Sequence, residues 1–323
     1  MPSAFVSRIC AALFVFIFFS SATAAQQPPA ANPPPAANPA PPNPAPPKEE
    51  IDIELNTALM ESTFMIQGPA AQGQMLGTVF IVGRPIPNSN PVRGFLVLVT
   101  AAHVMEQIQG DTAVLNLRRK VDAKTNSWVR APLPLQIRAN GRPLWIKHPE
   151  ADVAVMYISI PPDAPITPIT PITTLMFADD KMLADYEVKP GDELRCLGYP
   201  LGTASNDAGF PILRSGRIAS YPLLPTDNTK AFLLDLRVFK GNSGGPVFFV
   251  ERMRPIPHAL GSYNNYHFIM GLVSEEILYS EQSGGPYSQE IHQTQLGLAK
   301  VVHASLIKQT IEMLPPPPPA PTP

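Results

Sequence analysis

Short apolar runs, separated by turns that contain glycine or proline, most constrain how this chain can fold. Before residue 161 the runs are TVFIV (78–82), FLVLVT (95–100), TAVLNL (112–117), LPLQIRA (133–139) and DVAVMYISI (152–160). After residue 175 they are DELRCLGY (192–199), ILRSGRIAS (212–220), AFLLDLRVF (231–239), PVFFV (246–250) and HFIMGLVS (267–274). Runs of this length with turn signals between them predict β-strands.

The stretch PPDAPITPITPITTL (161–175) lies between the two sets of strands. Its regularly spaced prolines exclude a central strand and predict a linker. The sequence therefore predicts an all-β fold made of two β-barrels or sandwiches, one on each side of this linker. Two helices are predicted as well, a short one after His103 and one in KVVHASLIKQTIEML near the C-terminus.

Both ends of the chain differ in composition from its middle. Residues 1–25 have the pattern of a secretory signal peptide: Arg8, an apolar run from Ile9 to Phe19, and the small residues Ala22-Thr23-Ala24. An uncleaved anchor is the alternative, but the apolar run is short for a bilayer span. Residues 26–50 and 315–323 are proline-rich and cannot build a core, so we predict a disordered spacer and a tail. Both tails are also possible ligands for other proteins or for the cell envelope.

Composition excludes several classes of function. The formal net charge is −2 and 15% of residues are charged, so no basic excess points to nucleic acid or to an anionic membrane surface. There is no HExxH motif, and the histidines at 148, 258, 267, 292 and 303 are scattered, so we expect neither a metal nor a cofactor. Removal of the signal leaves Cys196 as the only cysteine, which we expect to be buried.

The segment VFKGNSGGPVFF (238–249) places three glycines around Ser243. A serine nucleophile needs a base, a group that orients the base, and donors for the developing oxyanion. Glycines let backbone N–H groups converge on a small volume, and the expected donors here are those of Gly241 and Ser243.

A base and an orienting carboxylate are also present. His103 follows an apolar strand and small residues in FLVLVTAAHV, and Asp152 begins the apolar run DVAVMYI, where a buried carboxylate needs a partner. Asp192 and Asp235 also adjoin predicted strands and remain alternatives for the carboxylate.

The motifs TAAHV, ADVAVMYI and GNSGGPV, in the order His, Asp, Ser, resemble the trypsin/chymotrypsin-like serine proteases, above all their bacterial Deg/Htr-type branch. LGTVFIV, LGYPLG, SGRIAS, IMGLVSEE and LGLAKVVHASLI are similar to further segments of that family. The resemblance covers roughly residues 60–312. It implies two six-stranded chymotrypsin-like β-barrels and a C-terminal helix within a protease domain at 51–314. Barrel one would span about 55–160, barrel two about 175–300, and the closing helix about 300–313.

The resemblance also implies roles for individual residues. His103 is the general base, Asp152 orients it, Ser243 attacks the scissile carbonyl, and the N–H groups of Gly241 and Ser243 hold the oxyanion. The substrate-binding positions by the same comparison are Arg237, Val238, Phe239, Ser274, Glu275 and Glu276. Phe239 and Val238 favour an apolar substrate side chain in the primary pocket, and Arg237 offers an acidic one as the alternative.

Two features depart from the Deg/Htr pattern. Proteins of that branch usually carry a PDZ domain after the protease part, whereas here one predicted helix and a proline-rich tail follow it, so we do not expect regulation by peptide capture. An inserted stretch at 277–295 contains a second SGGP at Ser283, without the preceding Gly-Asn, and we predict that this copy is a loop.

The sequence thus predicts an exported serine endopeptidase, periplasmic or extracellular, that acts on polypeptides and has no transmembrane segment once the signal is removed. The alternative is a catalytically silent protease-like module that binds peptides or cell-envelope components. An esterase with the same triad is a third reading, which the family resemblance disfavours.

Overall fold

The computed structural model describes residues 54–86, 94–122, 124–161, 163–256, 261–285 and 288–316. The predicted signal peptide, the proline-rich spacer and most of the tail lie outside these residues. Within the described ranges, no helix is both long and apolar enough to cross a membrane.

Strands far outnumber helices in the described chain. The helices are α1 (Leu55–Ser62), α2 (Ala102–Gln107), α3 (Asp180–Asp185), α4 (Thr226–Thr229) and α5 (Ala304–Glu312). The strands of the first half are β1 (Thr63–Pro69), β2 (Gln74–Pro85), β3 (Gly94–Thr100), β4 (Thr112–Asp122), β5 (Ser127–Gln136), β6 (Arg138–Ala139), β7 (Arg142–Pro143), β8 (Ile146–Lys147) and β9 (Ala154–Ile158). Those of the second half are β10 (Ile172–Thr173), β11 (Glu193–Gly198), β12 (Ile212–Ile218), β13 (Ala231–Asp235), β14 (Pro246–Pro255), β15 (Tyr263–Gly285) and β16 (Ser288–His303).

Seven strands of the first half and the short β10 form an eight-stranded sheet, while β6 and β7 form a separate two-stranded sheet. The strand order of the larger sheet is β5-β4-β1-β2-β3-β9-β8, and the short β10 pairs with β2. Residues 77–83 of the central strand β2 are buried on both faces, because α2 covers Gly77 and the proline-rich linker covers Gly83. Strands buried on both faces read as continuous apolar runs, which is why TVFIV was recognisable in the sequence.

The second half forms a closed barrel of six strands, in the order β11-β12-β13-β16-β15-β14. Its core includes Leu194, Phe232 and the stacked rings of Phe249 and Phe268, 5.1 Å apart. Cys196 lies in this core, as expected, and burial raises the pKa of its thiol to about 12. A thiol of that kind stays protonated and unreactive at neutral pH.

The C-terminal helix joins the two halves. α5 follows the last strand of the barrel, yet Leu306, Ile307 and Ile311 are buried in the core of the first sheet. Phe248, Ile269 and Leu272 of the barrel belong to that same core. The two sheets therefore pack against each other, and residues at their junction are held from both sides.

The predicted all-β fold with a C-terminal helix is confirmed, and the second barrel has the six strands expected. The first sheet differs from a six-stranded barrel, since it has eight strands and no hydrogen-bonded pair among its described strands closes it. The predicted loop at Ser283 is wrong. Ser283, Gly284 and Gly285 continue β15 and pair with Glu290, Gln289 and Ser288 of β16. Backbone pairing with the neighbouring strand, rather than any apolar pattern, makes this segment a strand.

Candidate active site

His103 and Asp152 form a close pair at the edge of the first sheet. His103 lies in the first turn of α2, directly after β3, and Asp152 lies two residues before β9. The histidine Nδ1 is 2.7 Å from Asp152 Oδ2, and the His103 backbone N–H donates to Oδ1 at 2.9 Å. Because β3 and β9 are adjacent strands, with Thr100 paired to Ala154, the two residues meet where β3 ends and β9 begins.

A third group holds the carboxylate. The Ser274 hydroxyl, which is buried, donates to Asp152 Oδ2 at 2.6 Å. Burial alone raises the pKa of Asp152, but hydrogen bonds and charge from His103, with the Ser274 hydroxyl, outweigh it and lower the pKa to about 2. Asp152 is therefore a carboxylate at any pH near neutrality.

The Ser243 turn is held between the two sheets. The Ser243 carbonyl accepts a hydrogen bond from Thr78 N–H of β2 at 2.9 Å, and the Thr78 hydroxyl donates to the Gly241 carbonyl at 2.6 Å. From the other side, Gly244 N–H donates to the Val273 carbonyl at 2.7 Å. Val273 directly precedes Ser274, so the strand that holds the Ser243 turn also holds Asp152.

Two glycines of the turn are required by geometry. Gly241 has φ +95° and Gly244 has φ +85°, a region that favours glycine. A Cβ at Gly241 would overlap the Tyr199 carbonyl oxygen, and one at Gly244 would overlap the Thr78 carbonyl and the Thr100 hydroxyl. Thr100 lies three residues before His103, so this close packing brings Ser243 to the histidine.

The structure thus brings His103, Asp152 and Ser243 to one place, although Ser243 Oγ and His103 Nε2 are not hydrogen-bonded to each other in it. Contacts of this kind are often long without substrate and shorten in the reacting complex. The alternative carboxylates lie elsewhere: Asp192 pairs with Arg254 at 3.1 Å, and Asp235 is exposed on the barrel.

Two backbone donors of the turn are free. Among the described residues none accepts a hydrogen bond from the N–H of Gly241 or of Ser243, whereas Asn242 N–H donates to the Phe239 carbonyl at 3.0 Å. The Asn242 side chain is buried and its Oδ1 accepts from Phe239 N–H at 3.2 Å, which fixes the turn. Two free N–H groups flanking a serine are the donors that an oxyanion needs.

The predicted substrate-binding residues include exposed and buried side chains. Arg237 is exposed, and its guanidinium lies 5.2 Å from the centre of the Phe239 ring. The same guanidinium donates a hydrogen bond to Gln295, and the Gln295 amide donates to Glu276 at 3.0 Å. Glu275 is exposed and pairs with Lys300 at 2.8 Å. The Val238 side chain, by contrast, is buried in the barrel core and faces away from this surface.

Several supporting residues were not predicted from the sequence. Thr78, Thr100 and Tyr199 are buried and contact the Ser243 turn through hydroxyl or carbonyl groups. The only signal was a threonine inside an otherwise apolar strand, because a buried hydroxyl requires a partner. Gln295, which connects Arg237 with Glu276, carries no such signal.

Comparison with known proteins finds several similar solved structures. The fold is similar to an HtrA-type protease with a tripeptide, at 16% identity over 79% of this chain and 60% of that one, with a TM-score of 0.39. It is also similar to the protease Anisep from Arthrobacter nicotinovorans (12% identity, 77% and 93% of the two chains, TM-score 0.40). A third is a serine endoprotease from Yersinia pestis (13% identity, 81% and 67%, TM-score 0.39).

The chain spans 60% of the length of the HtrA-type protease that it matches. No curated protein sequence matches it. A family model described as a trypsin-like peptidase domain matches residues 77–252, more than half of the chain, from within β2 to within β14, the strand after Ser243. The chain therefore belongs to the trypsin-like peptidase domain family.

Proposed function

We propose that the protein is an exported serine endopeptidase that uses His103, Asp152 and Ser243 as a catalytic triad. The observation that carries this proposal is the junction of the two sheets. There the His103–Asp152 pair, the Ser243 turn and two free backbone N–H groups are held by one set of contacts. Each element is required by the same reaction, acyl transfer through a serine.

In the proposed reaction Ser243 Oγ attacks the scissile carbonyl carbon while His103 Nε2 accepts the hydroxyl proton. The carbonyl oxygen becomes an oxyanion that accepts hydrogen bonds from the Gly241 and Ser243 N–H groups. His103 then donates its proton to the leaving amine, the C–N bond breaks, and an ester to Ser243 remains. A water molecule hydrolyses that ester by the same steps, and Ser243 regains its proton.

Asp152 has a supporting electrostatic role. Its pKa of about 2 keeps it ionised throughout, so it stabilises the imidazolium that forms in each transfer. Its Oδ2 contacts the ring at Nδ1 and orients the ring, while Oδ1 accepts the His103 backbone N–H and thereby holds the carboxylate in place.

Export rests on the sequence alone. The pattern at 1–25 supports secretion and cleavage before Gln26, with residues 26–50 as a spacer. N-terminal sequencing of protein recovered outside the cytoplasm tests this part, and a chain that still begins at Met1 would reject it.

The catalytic part is tested by casein cleavage with the wild type and Ser243→Ala. Because the change removes a single half-buried oxygen, the melting temperature is expected to stay within a few degrees while cleavage is lost. Cleavage retained by the variant would reject Ser243 as the nucleophile. No cleavage by either protein would favour the silent binding module.

A further inference from the structure

Asp152 lies in a short loop, residues 148–153, that connects the paired strands β8 and β9. Two backbone hydrogen bonds shape this loop: His148 N–H donates to the Val153 carbonyl at 3.0 Å, and Val153 N–H donates to the Ala151 carbonyl at 2.9 Å. The second bond makes Asp152 the central residue of a three-residue turn. The direction of the Asp152 side chain therefore depends on how the rest of the loop is held.

The His148 side chain binds a backbone group of the same loop. This histidine is only 5% exposed, and its Nδ1 lies 3.1 Å from the backbone nitrogen of Glu150. Because a backbone N–H can only donate, Nδ1 is the acceptor, and the proton of the neutral ring is on Nε2. Among the described residues, no other group accepts a hydrogen bond from Glu150 N–H. The ring therefore fixes the loop two residues before Asp152.

The other ring nitrogen connects the loop to the helices behind it. His148 Nε2 is 3.3 Å from Gln309 Oε1 of α5, and the Gln309 amide donates to the Asp227 carboxylate of α4 at 3.4 Å. With the proton on Nε2, every contact in this series has one donor and one acceptor. The imidazole therefore accepts from the loop on one side and donates to α5 on the other, so it attaches the loop to the helix.

We propose that His148 is a positioning residue for the catalytic carboxylate: its neutral ring holds the loop so that both oxygens of Asp152 face His103. This role rests on the proposed triad and adds a residue to it. Asp152 Oδ2 contacts His103 Nδ1 at 2.7 Å, and Oδ1 accepts the His103 backbone N–H at 2.9 Å. Both contacts need one orientation of the carboxylate, so a rotation of the turn would break at least one of them. His148 thus acts through Asp152 and not on the substrate.

Two substitutions of similar shape test the hydrogen bond to the loop. In His148→Asn the Oδ1 atom takes the place of Nδ1 and can accept from Glu150 N–H, whereas His148→Leu has no acceptor. We expect His148→Leu to lower kcat roughly 10- to 100-fold with KM within about threefold, because a misplaced catalytic group slows the reaction without weakening substrate binding. His148→Asn is expected to retain kcat within about fivefold. An unchanged kcat in His148→Leu, equal losses in the two variants, or a loss in KM alone would overturn the proposal.

Glu150→Gln is the matched control in the same loop. It keeps the backbone N–H that donates to His148 and changes only an exposed side chain, which pairs with Lys230 at 2.9 Å. Because exposed ion pairs contribute little, kcat is expected to change less than about threefold. A loss as large as that of His148→Leu would show that any change in this loop has the same effect, and would overturn a specific role for His148.

A double-mutant cycle with Asp152→Asn tests whether His148 acts through the carboxylate. Once the carboxylate is absent its orientation no longer matters, so His148→Leu is expected to lower kcat less than about threefold in the Asp152→Asn background. Melting temperatures establish that all four proteins are folded. If leucine prevents folding, His148→Gln replaces it, since glutamine has only carbon at the position of Nδ1. The full loss repeated in the Asp152→Asn background would show that the histidine acts by another route, and would overturn the proposal.

Nuclear magnetic resonance of isotope-labelled histidines tests the geometry without any cleavage. We expect an unprotonated Nδ1 and a protonated Nε2 on His148, and a His103 Nδ1–H that exchanges slowly with water because it donates to Asp152. That exchange is expected to stay slow in His148→Asn and to become about tenfold faster in His148→Leu. A proton on Nδ1 of neutral His148, or equal exchange in the three proteins, would overturn the proposal. The expected signals in a wild type that cleaves no peptide would keep the positioning of Asp152 by His148 and reject the endopeptidase.

Discussion

At the scale of single residues, Asp152 shows how the site sets the charge of one group. Burial by itself would make this carboxylate a weaker acid, yet three hydrogen bonds from His103 and Ser274 lower its pKa to about 2. Those hydrogen bonds keep the Asp152 carboxylate ionised, and they also fix the position of the His103 imidazole. A substitution that removes the negative charge of Asp152 but keeps the shape of its side chain separates these two effects.

We predict that Asp152→Asn lowers kcat by about 10⁴-fold, the loss typical of this change in a Ser–His–Asp triad. The amide cannot stabilise an imidazolium, and its NH₂ group holds the wrong tautomer of His103. Steady-state kinetics on one peptide measures the effect. Glu106→Gln is the matched control, because Glu106 lies on the helix of His103 but pairs only with exposed Lys147, and it is expected to change kcat less than threefold. A loss below tenfold for Asp152→Asn would contradict the assigned role.

His303 is a second residue whose environment changes its acidity. It is 1% exposed, its Nε2 has no hydrogen-bond partner among the described residues, and Phe232 packs against the ring at 4.9 Å. Burial lowers the pKa of His303 from 6.5 to about 4, although the charge of Asp180 acts in the opposite direction. The unfolded chain therefore takes up this proton first as the pH falls. Stability is lost between pH 6.5 and about pH 4.

We predict that this one histidine costs about 2 to 3 kcal/mol of the free energy of unfolding between pH 7 and pH 4.5. Urea unfolding at the two pH values measures the difference, and His303→Phe is expected to remove most of it. The range stays above pH 4, so that protonation of Asp152, which destabilises only below about pH 3.8, does not contribute. An equal pH dependence in His303→Phe would show that other groups cause it.

At the scale of elements, Arg118 on β4 joins three separate segments. Its guanidinium donates to the carbonyls of Met60, Glu61 and Thr63 at 2.9 Å, to the Gly209 carbonyl at 3.0 Å and to the Tyr199 hydroxyl at 3.2 Å. Phe64 and Phe210 cover its two faces at 4.3 and 4.2 Å. The end of α1, strand β4 and the segment that supports Gly241 are thus held by one buried cation.

We predict that Arg118→Met destabilises the fold by about 3 kcal/mol, because several carbonyls lose their donor in a buried site. In a domain of this size that corresponds to a melting temperature lower by roughly 10 °C. Thermal unfolding followed by circular dichroism measures it. Arg130→Met is the control: Arg130 donates to the Asp207 carbonyl at 2.9 Å in the same loop but is exposed. Similar shifts for the two variants would show that the effect is not specific to Arg118.

The elements that were predictable from the sequence are those whose apolar runs are buried. Four such strands contribute to the two hydrophobic cores, and each coincides with an apolar run in the sequence: β2, β3, β9 and β14. The hairpin beyond Ser274 was not predictable, because its side chains at 278–281 are exposed and only pairing with β16 makes it a strand. α1 was missed for a different reason: its two buried leucines, Leu55 and Leu59, are too few to show a helical period.

The residues of the candidate site also include some that were predictable from the sequence and some that were not. Ser243 and its glycines were predictable because a turn of that composition has few other uses, and His103 because it follows a strand end. The contacts of Thr78, Thr100 and Tyr199 were not predictable, since each depends on two segments that are distant in sequence but packed together. Sequence patterns report local constraints, whereas these contacts form only in the folded chain.

At the scale of the whole molecule, the contacts that hold the Ser243 turn among the described residues come from the two sheets. An aspartate directly before Ser243 would need a positively charged partner. The residue at this position is Asn242, which is neutral, and its side chain accepts a hydrogen bond from the nearby Phe239 N–H. The N–H groups of Gly241 and Ser243 have no acceptor among the residues that the structure describes. We therefore expect the oxyanion site to form without N-terminal processing beyond signal removal.

We predict that chains beginning at Gln26 and at Glu50 have kcat/KM values within about threefold of each other on one peptide, a difference of under 1 kcal/mol. Equal activity means that residues 26–49 are a spacer. A longer chain that is inert until trimmed would identify this segment as an inhibitor.

Labelling with a fluorophosphonate, read by intact mass and peptide mapping, tests the central claim most directly. The reagent reacts with a serine only where a base and an oxyanion site activate it. The account predicts one adduct per chain, on the peptide that contains Ser243, and none on Ser243→Ala or on protein unfolded in urea. A folded wild-type chain that takes up no label, or takes it up at another serine, would contradict it.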